Sequence, residues 1–141
     1  DIDWLPTDGP HTQMGWNIDP DALYNTLVRL NDDYDHIPLV VTENCMACPH
    51  EVEVGPDGVK MVHDDDRIDY LRRHLEAVHR AIEEGANVIG YFVWSLMDNF
   101  EWAFGYDRRF GLTYVDYDTE ERIRKDSYNW YRNFIAEHSA K

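Results

Sequence analysis

Glu43 directly follows the apolar run Leu39-Val40-Val41-Thr42, and Asn44 comes next. A carboxylate at the end of a buried strand is held rigidly and partly removed from water, which suits a nucleophile or a general acid/base. Asn44 adds an amide able to steady a substrate or that carboxylate. The plainer alternative is a glutamate that closes a loop or pairs with an arginine. A second concentration of chemistry runs Trp94-Ser95-Leu96-Met97-Asp98-Asn99-Phe100-Glu101-Trp102. It holds two indoles, with a carboxylate beside the second. Sugars present apolar C–H faces and rings of hydroxyls; an indole covers the face, and a carboxylate accepts two hydroxyls at once. The competing account has the indoles in a core and Glu101 as a solvated charge. Clustering beside a second acid favours a carbohydrate site.

Other reactive residue types carry less. Cys45-Met46-Ala47-Cys48 spells C-x-x-C, with His50 and His63 available as further zinc ligands, but the arrangement fits no standard finger. A thioredoxin-like redox pair would sit at a helix N-terminus within its own fold, and Pro49 does follow the motif. Two reduced thiols on a loop is the expectation, with no metal site and no cofactor. None of the seven histidines falls in an H-E-x-x-H pattern. His74 and His79 belong to a helix, in surface or packing roles. Asp64-Asp65-Asp66 lacks the spacing of a calcium loop and reads as helix capping.

These groups need elements to hold them. Residues 1–18 read as loop, punctuated by Pro6, Gly9, Pro10 and Gly15. Asp19, Pro20 and Asp21 open a helix whose apolar face is Leu23, Leu27, Leu30 and Tyr34, and which ends before Pro38. Residues 39–42 read as a strand, apolar on both faces. A long irregular stretch from Glu43 to His63 contains a tight turn at Gly55-Pro56-Asp57-Gly58. A second helix starts at the Asp64–Asp66 triplet, with Ile68, Leu71, Leu75, Val78 and Ile82 as its stripe and Gly85 as its C-terminal stop. Only Ala86-Asn87 separates that stop from the strand Val88 to Trp94, again apolar on both faces. Phe110 to Tyr117 alternates and is expected to pair across Asp118-Thr119-Glu120 as a hairpin. A third amphipathic helix carries Tyr128, Tyr131, Phe134 and Ile135. Strand, loop, helix, short link and strand make a βαβ unit with parallel strands, whose ligand chemistry gathers beyond the carboxyl ends of the strands. Glu43 and Trp94 stand at those ends.

Composition sets outer limits. The chain has 141 residues, 43% of them hydrophobic, enough for a packed core. Its net charge of −15 argues against nucleic acid and against anionic membrane surfaces. No apolar run approaches the roughly 20 residues that span a bilayer. No signal peptide is visible at Asp1-Ile2-Asp3-Trp4, and two free thiols lean toward a reducing, cytoplasmic compartment. Strands apolar on both faces need neighbouring strands and helices on both sides, and a (β/α)8 barrel takes about 250 residues. The α/β chain is therefore expected to be a piece of something larger and not an independent domain.

At this point the motifs become specific. Val41-Thr42-Glu43-Asn44 resembles the T-E-N nucleophile motif of glycoside hydrolase family 1, the retaining β-glucosidase family. Trp94 to Trp102 is similar to that family's W-S-L-x-D-N-F-E-W segment. Met14-Gly15-Trp16, Gly105-Tyr106, Arg109-Phe110-Gly111-Leu112, Tyr114-Val115-Asp116-Tyr117, Lys125-Asp126-Ser127 and Trp130-Tyr131 continue the likeness in the family's order, from about Thr12 to Ile135. The resemblance implies a (β/α)8 TIM barrel, with residues 1–141 as its C-terminal segment: about two β/α units, carrying strands seven and eight. It implies Glu43 as the nucleophile that forms a glycosyl–enzyme intermediate. Trp94, Glu101, Trp102 and Phe110 would line the glycone subsite, Glu101 binding sugar hydroxyls.

Retaining hydrolysis needs two carboxyl groups about 5–5.5 Å apart. The family's acid/base lies in an N-E-P motif, and none occurs here. The resemblance thus implies a retaining β-glycosidase acting on β-linked sugars only when completed by the remaining N-terminal part of the barrel, from the same precursor or a companion chain. The family branch that takes 6-phosphoglycosides has Ser where Glu101 stands, so Glu101 implies unphosphorylated substrates, although Arg108 lies where that branch uses a cation. Cys45 departs from the family's T-E-N-G, adding a Cβ where glycine can serve a positive φ. The alternatives from other classes are a non-catalytic carbohydrate-binding or structural fragment, and a redox or metal module centred on Cys45 and Cys48.

Overall fold

A computed structural model describes residues 8–138; Pro6 and the rest of the opening loop before Asp8 lie outside the described residues. The order of elements is α1 (Pro20–Asp33), β1 (Leu39–Asn44), β2 (Glu53–Val54), β3 (Lys60–Met61), α2 (Asp65–Glu83), β4 (Val88–Val93), a 3-10 turn (Trp102–Phe104), β5 (Thr113–Val115), β6 (Arg122–Arg124) and α3 (Asp126–His138). No helix is long and apolar enough to cross a membrane among the described residues.

The βαβ unit forms as its sequence requires. β1 and β4 are parallel, pairing Leu39 with Val88, Val40 with Gly90, Val41 with Tyr91 and Asn44 with Val93. Gly90 admits the Val40 side chain, since a Cβ there would lie 3.3 Å from Val40 Cγ1. β1 runs two residues further than its apolar pattern, so Glu43 lies within the strand's last turn.

α1 starts as read: the Asp19 carboxylate accepts from the Ala22 N–H at 3.1 Å, with Pro20 in the first turn. Leu27 is buried, while Tyr34 lies past the helix end and is 57% exposed. Asn31, at 2% exposure, replaces it as the informative residue. Its amide reaches His36 Nδ1 at 2.7 Å, and its Oδ1 accepts from the Asn87 N–H at 3.1 Å, docking α1 on the link before β4.

α2 buries Leu71 and Val78 of the expected stripe, but Ile82 is exposed, and Tyr70, His74, Ala77 and Ala81 complete the inward face. Small alanines let α2 approach α1 and the sheet. Gly85 ends the helix at φ +100, its N–H donating to the Ile82 carbonyl. Asp64 makes no side-chain cap; it is fully buried instead and holds Arg67 at 2.8 Å and the Ser127 hydroxyl at 2.6 Å.

The two strands, apolar on both faces, are covered on one face only. Leu39 and Val41 pack on Leu27, Val78, Ala81 and Ala86 under α1 and α2. On the other side Val40, Ile89 and Phe92 are exposed, because two strands and two helices make only one covered layer among the described residues. The hairpin after Phe110 is shorter than the alternation implied: β5 pairs with β6 around a turn in which the Asp116 carboxylate accepts from the N–H groups of Asp118 and Thr119. The Gly55–Gly58 turn closes a further small hairpin, β2–β3. α3 lays Tyr128, Trp130 and Tyr131 against a second core of Met46, Cys48, Tyr70, Leu71 and Leu112.

Candidate active site at the strand tips

The carboxyl ends of β1 and β4 are fastened together. The Trp94 N–H donates to the Asn44 carbonyl at 3.3 Å, and the Tyr91 hydroxyl donates to Asn44 Oδ1 at 2.7 Å. The Asn44 amide in turn donates to the Tyr70 hydroxyl at 3.4 Å. Asn44 thus links β1, β4 and α2 while also lining the cavity at the strand tips. Burial raises the pKa of the Tyr91 phenol and pushes Tyr70 to about 12, so both stay protonated across the neutral range.

The segment leaving β4 is anchored by its inner polar residues. Asp98, with no exposed side-chain surface, pairs with Lys125 at 3.0 Å and Arg109 at 2.7 Å, and accepts from the Gly111 N–H at 2.9 Å. Gly111 is obligatory there: a Cβ would lie 2.1 Å from the Asp98 nitrogen. Asn99 donates to the Ser95 hydroxyl, which donates to the Met97 carbonyl. The 3-10 turn then closes with the Phe104 N–H on the Glu101 carbonyl and the Glu101 N–H on the Gly105 carbonyl, Gly105 lying at φ +58. Ser95, Asp98 and Asn99 hold the loop inward, which leaves Trp94, Glu101 and Trp102 to project.

All five residues singled out in the sequence meet in one cavity of about 320 Å³: Glu43, Trp94, Glu101, Trp102 and Phe110. Phe110 is buried, and its carbonyl accepts from Arg67 and from the Ser95 N–H. Trp102 is 84% exposed, an unusual position for an indole without a ligand. Glu43 is exposed and not partly desolvated as its place after an apolar run implied; the uncovered face of the β1–β4 pair leaves it open to water.

The cavity is also lined by Trp16, Cys45 and Tyr70, none of them expected as site residues from sequence. Trp16 sits 6.1 Å from the Phe110 ring, on a loop closed by the Thr12 N–H on the Trp16 carbonyl. Its signal in the sequence is the Met14-Gly15-Trp16 motif. Tyr70 had no signal, since an aromatic at helical spacing reads as core. Cys45 keeps a negative φ, so the added Cβ costs no backbone strain, and its thiol accepts from Arg67 at 3.4 Å. Both cysteines are free and buried, and burial pushes the Cys48 thiol up to about 12.

Two carboxylates and an aromatic wall meet at the carboxyl tips of two parallel strands in an α/β chain. Residues 5–140 match the model for "Glycosyl hydrolase family 1", and the chain belongs to that family. It is 79% identical over 141 residues to the bifunctional beta-D-glucosidase/beta-D-fucosidase of Bifidobacterium breve, covering all of this chain and 31% of that protein. It is 46% identical over 126 residues to a 6-phospho-beta-galactosidase of Staphylococcus aureus, covering 89% of this chain and 26% of the relative. The crystallised beta-glucosidase from Thermotoga maritima in complex with deoxynojirimycin superposes with a TM-score of 0.87 at 45% identity, over 97% of this chain and 30% of that one. The chain thus spans less than a third of the relatives it matches, and is part of a TIM-barrel glycosidase fold.

Proposed function

We propose that the chain supplies the nucleophile and part of the glycone subsite of a retaining β-glycosidase that hydrolyses unphosphorylated β-glycosides. The observation that carries this reading is the convergence of Glu43, Glu101, Trp94, Trp102 and Phe110 on one cavity. Glu43 attacks the anomeric carbon, and the aglycone oxygen leaves with a proton from an acid/base carboxyl. Water then enters, deprotonated by that same group, and releases the sugar from Glu43. No N-E-P motif is present, so the acid/base belongs to the rest of the barrel, with this chain as the barrel's C-terminal segment and strands seven and eight as its share. Glu101 accepts hydroxyl hydrogen bonds, and the indoles cover the C–H face.

Support for a neutral glycone comes from this chain's share of the lining, where Glu43 and Glu101 are the charged side chains among the described residues. Arg108 lies over the Phe104 ring at 4.9 Å and is not part of that lining. A phosphate bound against this wall would face two carboxylates.

The test is trapping. The completed barrel, incubated with a 2-deoxy-2-fluoro-β-glucoside carrying a good leaving group, should gain one sugar mass on the peptide holding Glu43. A label on any other residue, or turnover that survives Glu43→Gln, overturns the assignment. Binding of a sugar without any hydrolysis by the completed barrel would favour the non-catalytic carbohydrate-binding reading.

A further inference from the structure

We propose that Cys48, His50 and Asp66 form a site for one thiophilic divalent metal ion of the zinc class, between the loop after β1 and the first turn of α2. The three residues offer a sulfur, an imidazole nitrogen and a carboxylate oxygen that all lie within 4.8 Å of one another. A metal about 2.0–2.3 Å from such ligands in tetrahedral array separates the ligand atoms by roughly 3.2–3.7 Å, so small side-chain adjustments suffice. His50 Nε2 already stands 3.0 Å from Asp66 Oδ1. A second observation points the same way. His50 Nδ1 is buried with no hydrogen-bond partner among the described residues, leaving an imidazole that its surroundings satisfy on one side only.

The backbone under these ligands is pinned. The Cys48 N–H donates to the Arg109 carbonyl, and buried Arg67 grips the carbonyls of Met46, Arg109 and Phe110. Asp66 Oδ1 accepts from the Arg67 N–H at 2.7 Å, which orients the carboxylate. Access comes from the rim: the Asp66 side chain is 50% exposed and His50 21%, with the thiol beneath them. Three protein ligands leave the fourth position to water.

The donor set selects the ion. Thiolate with imidazole suits Zn²⁺ and Co²⁺, whereas Mg²⁺ and Ca²⁺ require oxygen ligands. On binding, the Cys48 S–H bond breaks, the sulfur–metal bond forms, and the proton goes to solvent; nothing is oxidised or reduced. The ligand set is not the one C-x-x-C implied. Cys45 is held by Arg67, and His63 Nδ1 lies 2.6 Å from Asp126.

The test is titration of the purified full chain with Co²⁺, followed by absorption, with displacement by Zn²⁺. One Co²⁺ per chain is expected, with a sulfur-to-cobalt charge-transfer band and the visible bands of a tetrahedral ion. Cys48→Ser should abolish the charge-transfer band, Asp66→Asn should weaken binding about tenfold or more, and Cys45→Ser should leave stoichiometry unchanged. Circular dichroism checks the fold of each variant. If Cys48→Ser does not fold, the half-exposed Asp66→Asn and His50→Ala decide. Failure to bind Co²⁺ at millimolar concentration, or binding indifferent to Cys48→Ser, or to both His50→Ala and Asp66→Asn, overturns the site.

Discussion

The Trp94 N–H and the Asn44 carbonyl are joined at 3.3 Å, one strand tip to the other. That bond sets the residue after Glu43 against the first indole of the loop leaving β4. The proposed nucleophile and the indole beside it are thereby placed by backbone, with no reliance on flexible side chains. The proposed chemistry follows from that fixed spacing.

In the completed barrel, Glu43→Gln should lower kcat by about three orders of magnitude or more while KM changes little, because the amide cannot attack but fills the same space. Steady-state kinetics on an aryl β-glucoside measures it. A residual rate within tenfold of the parent would remove Glu43 from the mechanism.

Trp102→Ala separates binding from folding. The ring is 84% exposed, so the thermal midpoint should not move. Loss of its stacking surface should weaken binding of a neutral sugar inhibitor by about 3- to 10-fold, read by calorimetry.

Glu101→Ser tests the choice between neutral and phosphorylated sugars. Removing the carboxylate proposed to accept two hydroxyls should lower kcat/KM on a neutral glycoside by about 10- to 100-fold. The ratio of activity on the 6-phosphoglycoside to that on the neutral one should rise. An unchanged ratio would free Glu101 from any role in that discrimination.

Arg67→Met should destabilise the chain by about 3–5 kcal/mol in urea unfolding, since it strands the fully buried Asp64 carboxylate and releases three carbonyls. The double change Arg67→Met with Asp64→Leu should recover part of the loss, because no buried charge is then left alone.

His74 predicts an acid limit. It is buried, stacked on Tyr70 at 3.8 Å, with Nδ1–H donating to the Tyr70 carbonyl at 2.7 Å. Burial lowers its pKa from 6.5. The folded state therefore binds this proton less readily than the unfolded chain. Its contribution is fully present above pH 6.5 and fades as pH falls through that value toward the lowered one. His74→Phe should flatten the pH dependence of the unfolding midpoint in that interval.

Much of this architecture was legible in residue patterns. The βαβ unit, the Asp19-Pro20 start of α1 and the Gly85 stop of α2 are local signals, and they hold. The five cavity residues were legible because strand ends and indole–carboxylate clustering are written in sequence. Tyr70 and the Asn44 amide were not, since their roles depend on which helix face meets which strand tip. Asp64 misled for a related reason: a carboxylate before a helix looks like a cap, and only tertiary packing reveals Arg67 and Ser127 around it. The exposure of Glu43 was equally hidden, whereas that of Val40, Ile89 and Phe92 fits strands apolar on both faces in a chain too short to cover both.

That bare face has a colloidal consequence. Val40, Ile89 and Phe92 form a greasy strip on a strand pair that acquires no third strand among the described residues, an arrangement ready to zip onto a second copy. What opposes clumping is the surplus of negative charge, −15 at neutral pH. Acidification toward the isoelectric point near 4.6 removes that repulsion. Turbidity of the isolated chain should climb there, and the same strip, once hidden inside a closed barrel, should cease to drive it.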